Sequence, residues 1–108
     1  MSDILWQPTA ERIASTQLAS WQRWLASDRG IVFDSYADLH QWSVTHREDF
    51  WQSIWDYFGI NSHSPYRAVL ENDVMPGATW FPGATLNFAE HLLRYRDNRT
   101  ALISYLEN

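Results

Sequence analysis

Four histidines, His40, His46, His63 and His91, are the first residues to test for chemistry. Zinc-binding pairs on one helix recur as H-x-x-x-H, one turn apart, so that both rings reach a single ion. No pair here has that spacing, and each reads as a surface or cap-adjacent imidazole. Glu48, Asp49 and Asp56 could work as paired acid and base. Glu48, however, follows Thr45 by three residues, where a capping box wants it, and the other two fall on the polar side of an amphipathic stretch. Ser, His and Asp all occur, but without a Gly-x-Ser-x-Gly elbow. The four glycines, Gly30, Gly59, Gly77 and Gly83, make no G-x-G-x-x-G or phosphate loop. All eight basic residues are Arg, which excludes a P-loop or Schiff-base lysine. With no cysteine there is no disulfide, thiolate nucleophile or Cys-type zinc site. No catalytic, cofactor-binding or metal-ligating set emerges.

What remains is aromatic. Seven Trp, five Tyr and five Phe crowd 108 residues, so either the core is dense in rings or some rings cover a neighbour. Trp21, Trp24, Trp42, Trp51 and Trp55 fall on helical faces and read as core. Trp80 and Phe81 differ. They stand between two copies of Pro-Gly-Ala-Thr, at 76–79 and 82–85. Pro-Gly suits positions i+1 and i+2 of a type II turn, so two bends with a short extended piece, Ala78 to Phe81, are expected. Two four-residue copies are too short for a solenoid repeat and reflect turn chemistry.

The elements that carry these rings are mostly helical. Thr9 is an expected N-cap with Glu11 in the first turn, Ile13, Leu18, Trp21, Trp24 and Leu25 recur at helical spacing, Thr16 divides a short helix from a longer one, and Gly30 closes it. Ser35 with Asp38 begins a second helical region in which Tyr36, Leu39 and Trp42 share a face. Thr45-His-Arg-Glu48 predicts the cap of an amphipathic helix with Phe50, Trp51, Ile54, Trp55 and Phe58 inward, ending at Gly59. From Asn61 to Thr85 no periodicity holds, which is unusual unless the stretch is functional or packed. Asn87 and Glu90 begin a last helix, with Phe88, Leu92 and Leu93 inward and Arg94 and Arg96 near its end. Thr100 to Leu106 reads as a strand without a partner, which predicts that the chain is part of something longer.

Net charge is −5 with no basic stripe, so nucleic acid and anionic membrane surfaces are not expected partners. No signal peptide or spanning segment is read, and the default expectation is a cytoplasmic protein. Asn98-Arg99-Thr100 matches a glycosylation sequon by chance on that reading.

The run from Met75 to Arg94, MPGATWFPGATLNFAEHLLR, closely resembles the N-terminal region of acetoacetyl-CoA synthetases, in the acyl- and acetyl-CoA synthetase branch of the adenylate-forming enzymes. Leu5-Trp-Gln-Pro8 with Glu11-Arg-Ile13, Phe33 to Leu39, Gln41 to Val44, Asp49-Phe-Trp51 and Trp55 to Phe58 follow in the same order. Acetyl-CoA synthetases share the Trp-Phe and Leu-Asn core but usually carry a Gly-Gly turn and an Asp-Arg-His ending. Here Pro82-Gly83-Ala84 and Ala89 to Arg94 take those places, which favours the acetoacetyl branch.

The resemblance implies a parent enzyme that joins ATP and acetoacetate into an acyl-adenylate with release of pyrophosphate, then transfers the acyl group to CoA with release of AMP. ATP, Mg and CoA are implied for that parent. The family's phosphate loop and catalytic lysine lie outside these residues, so no cofactor is expected in this chain and no ligase activity from it alone. The expected fold is a mainly α, small helical domain over residues 1–96 with long irregular connections. Residues 97–108 would begin the adenylation domain with a terminal β-strand. Trp80, Phe81, Leu102 and Ile103 are the expected contacts with that domain, which would be the partner within the same chain. Self-association of the isolated chain is a further expectation. A stand-alone interaction module descended from the same domain is the alternative.

Overall fold

A computed structural model describes residues 3–107. The chain is mainly helical and divides into two compact units, Met1–Gly59 and Ile60–Asn108.

The first unit holds α1 (Ala10–Ala14), α2 (Gln17–Arg29), α3 (Tyr36–Thr45) and α4 (Arg47–Phe58). Its helix starts follow the side chains that cap them. Thr9 Oγ1 accepts from the Arg12 N–H at 3.2 Å, Thr16 Oγ1 from Ala19 at 3.1 Å, and Ser35 Oγ from Asp38 at 3.2 Å. Each satisfies an N–H that the helix cannot pair internally. Thr16 also donates to the Ile13 carbonyl, so one hydroxyl ends α1 and starts α2. Gly30 and Gly59 close α2 and α4 in left-handed conformation, at φ 65° and 58°.

The capping box expected at Thr45 is not formed. Thr45 is the last residue of α3, its hydroxyl donates to the Gln41 carbonyl at 2.8 Å, and His46 stands at the start of α4 with no side-chain cap. The two helices are joined by His46 alone, so Thr45 is spent on the helix it ends.

Trp21, Leu25 and Leu39 form the buried centre, surrounded by Trp24, Ile31, Phe33, Trp42, Phe50, Ile54 and Tyr57. The rings meet mostly edge-on or tilted: Trp21 and Phe50 are 5.7 Å apart at 87°, and Phe33 and Trp42 5.3 Å apart at 51°. Such geometry sets the positive edge of one ring on the negative face of another. The Tyr57 hydroxyl, at the cluster's edge, bonds Ser20 Oγ at 2.7 Å.

The inward face of α4 is Phe50, Ser53, Ile54 and Tyr57, not the predicted set containing Trp51, Trp55 and Phe58. Ser53 is fully buried and its hydroxyl donates to the Phe50 carbonyl. A small residue at the inward position lets α4 lie close to α2 and α3, against which it packs. Trp51 and Phe58 sit on the more exposed side. Tyr36, Ile13 and Leu18, also expected inside, are exposed.

The second unit contains β1 (Leu70–Glu71), β2 (Thr79–Trp80) and α5 (Phe88–Leu92). Asn87 Oδ1 accepts from the Glu90 N–H at 3.0 Å, as its sequence signature predicts. Phe88, Leu92 and Leu93 are not inward: they are 80%, 62% and 65% exposed. Residues 101–107 carry no strand, because a strand exists only through its ladder partner and the sheet of this chain contains β1 and β2 alone among the described residues.

A candidate docking surface

The stretch from Asn61 to Thr85 that lacked periodicity is an irregular antiparallel hairpin. β1 and β2 pair with Leu70 opposite Trp80 and Glu71 opposite Thr79, and a single bridge joins Ser64 to Thr85. Between those registers the first arm carries one residue more than the second, so the ladder is interrupted and no period of two survives. Bonds from His63 N–H to the Thr85 carbonyl (2.8 Å), Arg67 N–H to Pro82 (2.9 Å) and Phe81 N–H to Val69 (2.8 Å) hold the arms together.

The two Pro-Gly copies have different roles. The second is the expected turn: Ala84 N–H returns to the Phe81 carbonyl at 3.2 Å with Gly83 at φ 92°. It also closes against the other arm, where Ser64 Oγ donates to the Gly83 carbonyl at 2.6 Å. The first copy follows a cis Met75–Pro76 peptide at the hairpin's far end, with Gly77 at φ 112°.

This frame separates Trp80 from Phe81. Trp80 lies in β2 and is 42% exposed. Phe81 is half-buried at φ 46°, unusual for a bulky residue, and its ring meets Tyr66 edge-on at 5.2 Å. Val69 and Pro82 are the buried residues of the unit. Leu102 and Ile103 lie on the exposed tail at 93% and 68%, outside the ladder that holds Trp80.

Titratable side chains near the hairpin are tied to structure. Arg67 and Glu71 pair through two contacts of 3.2 and 3.3 Å. His63 Nε2 lies 2.6 Å from a Glu90 carboxylate oxygen, fixing α5 to the start of the hairpin. Beyond α5, Tyr95 lies between the guanidinium groups of Arg94 and Arg99, 5.0 and 4.1 Å from its ring centre. Asp97 accepts from Arg99 Nε at 2.8 Å and from the Arg99 N–H at 3.1 Å, and these bonds hold its carboxyl below the ordinary value. The sequence reading missed this clasp, whose only signal is an Asp two residues before an Arg. In the first unit Asp56 pairs with Arg29. Among the described residues no three His, Cys, Asp or Glu side chains gather as a metal site, and no helix is long and apolar enough to cross a membrane. What this arrangement can do is present apolar surface from a braced hairpin and an exposed tail.

Residues 36–92 match the family model described as acetyl-coenzyme A synthetase N-terminus. A malonamoyl-CoA synthetase of Penicillium aethiopicum is 41% identical over 93 residues, covering 84% of this chain and 13% of that protein. An acetoacetyl-coenzyme A synthetase of Rhizobium meliloti is 36% identical over 99 residues, covering 92% and 15%. Among solved structures, an acetoacetyl-CoA synthetase from Streptomyces lividans superposes with a TM-score of 0.80 at 46% identity, over 86% of this chain and 15% of that one. The chain thus spans about a seventh of the length of the relatives it matches.

Proposed function

This chain belongs to the acetyl-coenzyme A synthetase N-terminus family, and on that footing we propose that it is the N-terminal structural domain of an acetoacetate–CoA ligase. The observation that carries the reading is the match to the Streptomyces lividans synthetase over 86% of this chain but only 15% of that one. The parent would convert ATP, acetoacetate and CoA to acetoacetyl-CoA, AMP and pyrophosphate through an acyl-adenylate, with Mg on the nucleotide. The domain itself would be inactive. Its partner would be the adenylation domain of the same chain, met through Trp80, Phe81, Leu102 and Ile103, with residues 97–108 as the beginning of that domain. Three of these four contacts have more than two fifths of their surface exposed, which supports an outward role.

The relatives' names bear on the substrate. Acetoacetyl and malonamoyl groups both carry a carbonyl β to the acid carbon and differ by a methyl against an amino group. A short β-carbonyl carboxylate is therefore the substrate class proposed for the parent. Acid-dependent ATP–pyrophosphate exchange tests this, run with acetoacetate and with malonamate. Exchange is expected from the longer natural protein and not from these 108 residues. Exchange by this chain alone would remove the structural reading.

A further inference from the structure

From Leu86 to Glu107 no residue is buried, and only His91 is half-buried. Yet α5, five residues long, is formed and capped within this stretch. Helix nucleation is unfavourable, with a constant of about 10⁻³, and isolated helices below roughly 12 residues are marginal in water. A helix this short needs packing. The attachments on the page are polar: the Asn87 cap, the His63–Glu90 contact, and the Asn61 N–H directed at His91 Nδ1 at 3.5 Å. The apolar side has no cover. Phe88 and Leu92, one turn apart and so on one face, are 80% and 62% exposed, with Leu93 and Leu86 beside them. Arg96 makes no ion pair among the described residues.

We infer that the Phe88–Leu92 face of α5, flanked by Leu93 and Arg96, is a second docking surface, covered by the remainder of a longer synthetase chain through an apolar patch with a carboxylate at its rim facing Arg96. This rests on the proposed function but concerns different residues from the hairpin and tail contacts. Two observations choose the occupant. The chain exposes 9200 Å², whereas a compact monomer of its mass exposes about 6,200 Å². The excess, about 3,000 Å², is several times the roughly 800 Å² that each partner buries in a standard interface. A body that wraps the chain accounts for it better than a second copy does. The same fold occurs in the Streptomyces lividans synthetase as 15% of a much longer chain.

Hydrogen–deuterium exchange on the longer natural protein and on the 108-residue chain tests the inference. Amides of residues 89–93 are expected to exchange roughly tenfold or more slowly in the longer protein, as cover suppresses local opening. Protection of 101–106 without protection of 89–93 overturns the inference and leaves the proposed function standing. A natural product no longer than this chain overturns both. Leu92→Gln supplies a second readout: it should leave the melting temperature of the short chain unchanged and lower that of the longer protein. Equal shifts in both would mean that Leu92 serves only the local helix, and would overturn the docking role.

Discussion

Gly83 combines two constraints that are usually separate. Its φ of 92° is one that side chains rarely adopt, and a Cβ added there would stand 3.3 Å from the Pro65 carbonyl oxygen. Gly59 has φ 58° but open space around it. Gly59→Ala should therefore cost about 1 kcal/mol for left-handed backbone alone, and Gly83→Ala at least about 2 kcal/mol, because strain and crowding add. Urea unfolding of both variants measures the gap, and equal losses would show that the arms do not approach as closely as described. Asp97 sets a pH dependence. Its carboxyl is held low first by the Arg99 side-chain bond, so its folded pKa lies below the unfolded value of about 3.9. A group of this sign stabilises the clasp around Tyr95 above that unfolded value and stops doing so as pH falls through the folded one. An NMR titration should show the Asp97 midpoint rising in Arg99→Gln, and an unchanged midpoint would dissociate the shift from the guanidinium. The clasp is fully exposed, so global stability should not follow it.

Elements separate what the sequence states from what it leaves open. Caps were legible because they are local: Thr9, Thr16, Ser35 and Asn87 each sit three residues before the N–H they receive. Thr45 has the same pattern and fails, since a hydroxyl at a helix end can also donate backwards, and nothing local says which helix owns it. Thr45→Ala should thus cost a few tenths of a kcal/mol, against about 1 kcal/mol for Ser35→Ala, by thermal unfolding. Comparable losses would restore Thr45 as a cap. The inward face of α4 was illegible for a different reason. Aromatic residues occupy both sides of that helix, so hydrophobicity alone leaves its rotation undetermined, and the small Ser53 at the closest approach decides it. Ser53→Leu should destabilise by about 1–3 kcal/mol through overpacking, and a loss below about 0.5 kcal/mol would mean the helices have room there. The hairpin escaped the sequence because its arms differ in length between registers, although the turn residues at Pro82-Gly83 announced where it bends. Of the four expected contact residues, their exposure was legible only for the tail; that Trp80 and Phe81 part company depends on the backbone of Phe81.

At the scale of the whole molecule, the apolar residues outnumber the places to bury them. The first unit gathers its rings around Trp21, Leu25 and Leu39, while Val69 is the buried hydrophobic residue of the second. Leu102, Ile103, Tyr105 and Leu106 are all more than two thirds exposed on a segment rich in strand formers. A segment of that kind with unpaired backbone groups pairs with whatever edge is offered. In the longer synthetase the edge would belong to the next domain. For the isolated chain in solution the available edge is another copy. Sedimentation equilibrium should accordingly give an apparent mass above 12.7 kDa that rises with concentration. Leu102→Lys with Ile103→Lys should return it to the monomer value without altering the helical circular dichroism, since the tail carries no helix. A wild-type chain that stays monomeric at every concentration would show that the tail is passivated by its own unit, and would remove the exposed strand as a docking element. Association that survives the double substitution would move the contact to the α5 face, where Phe88 and Leu92 remain uncovered.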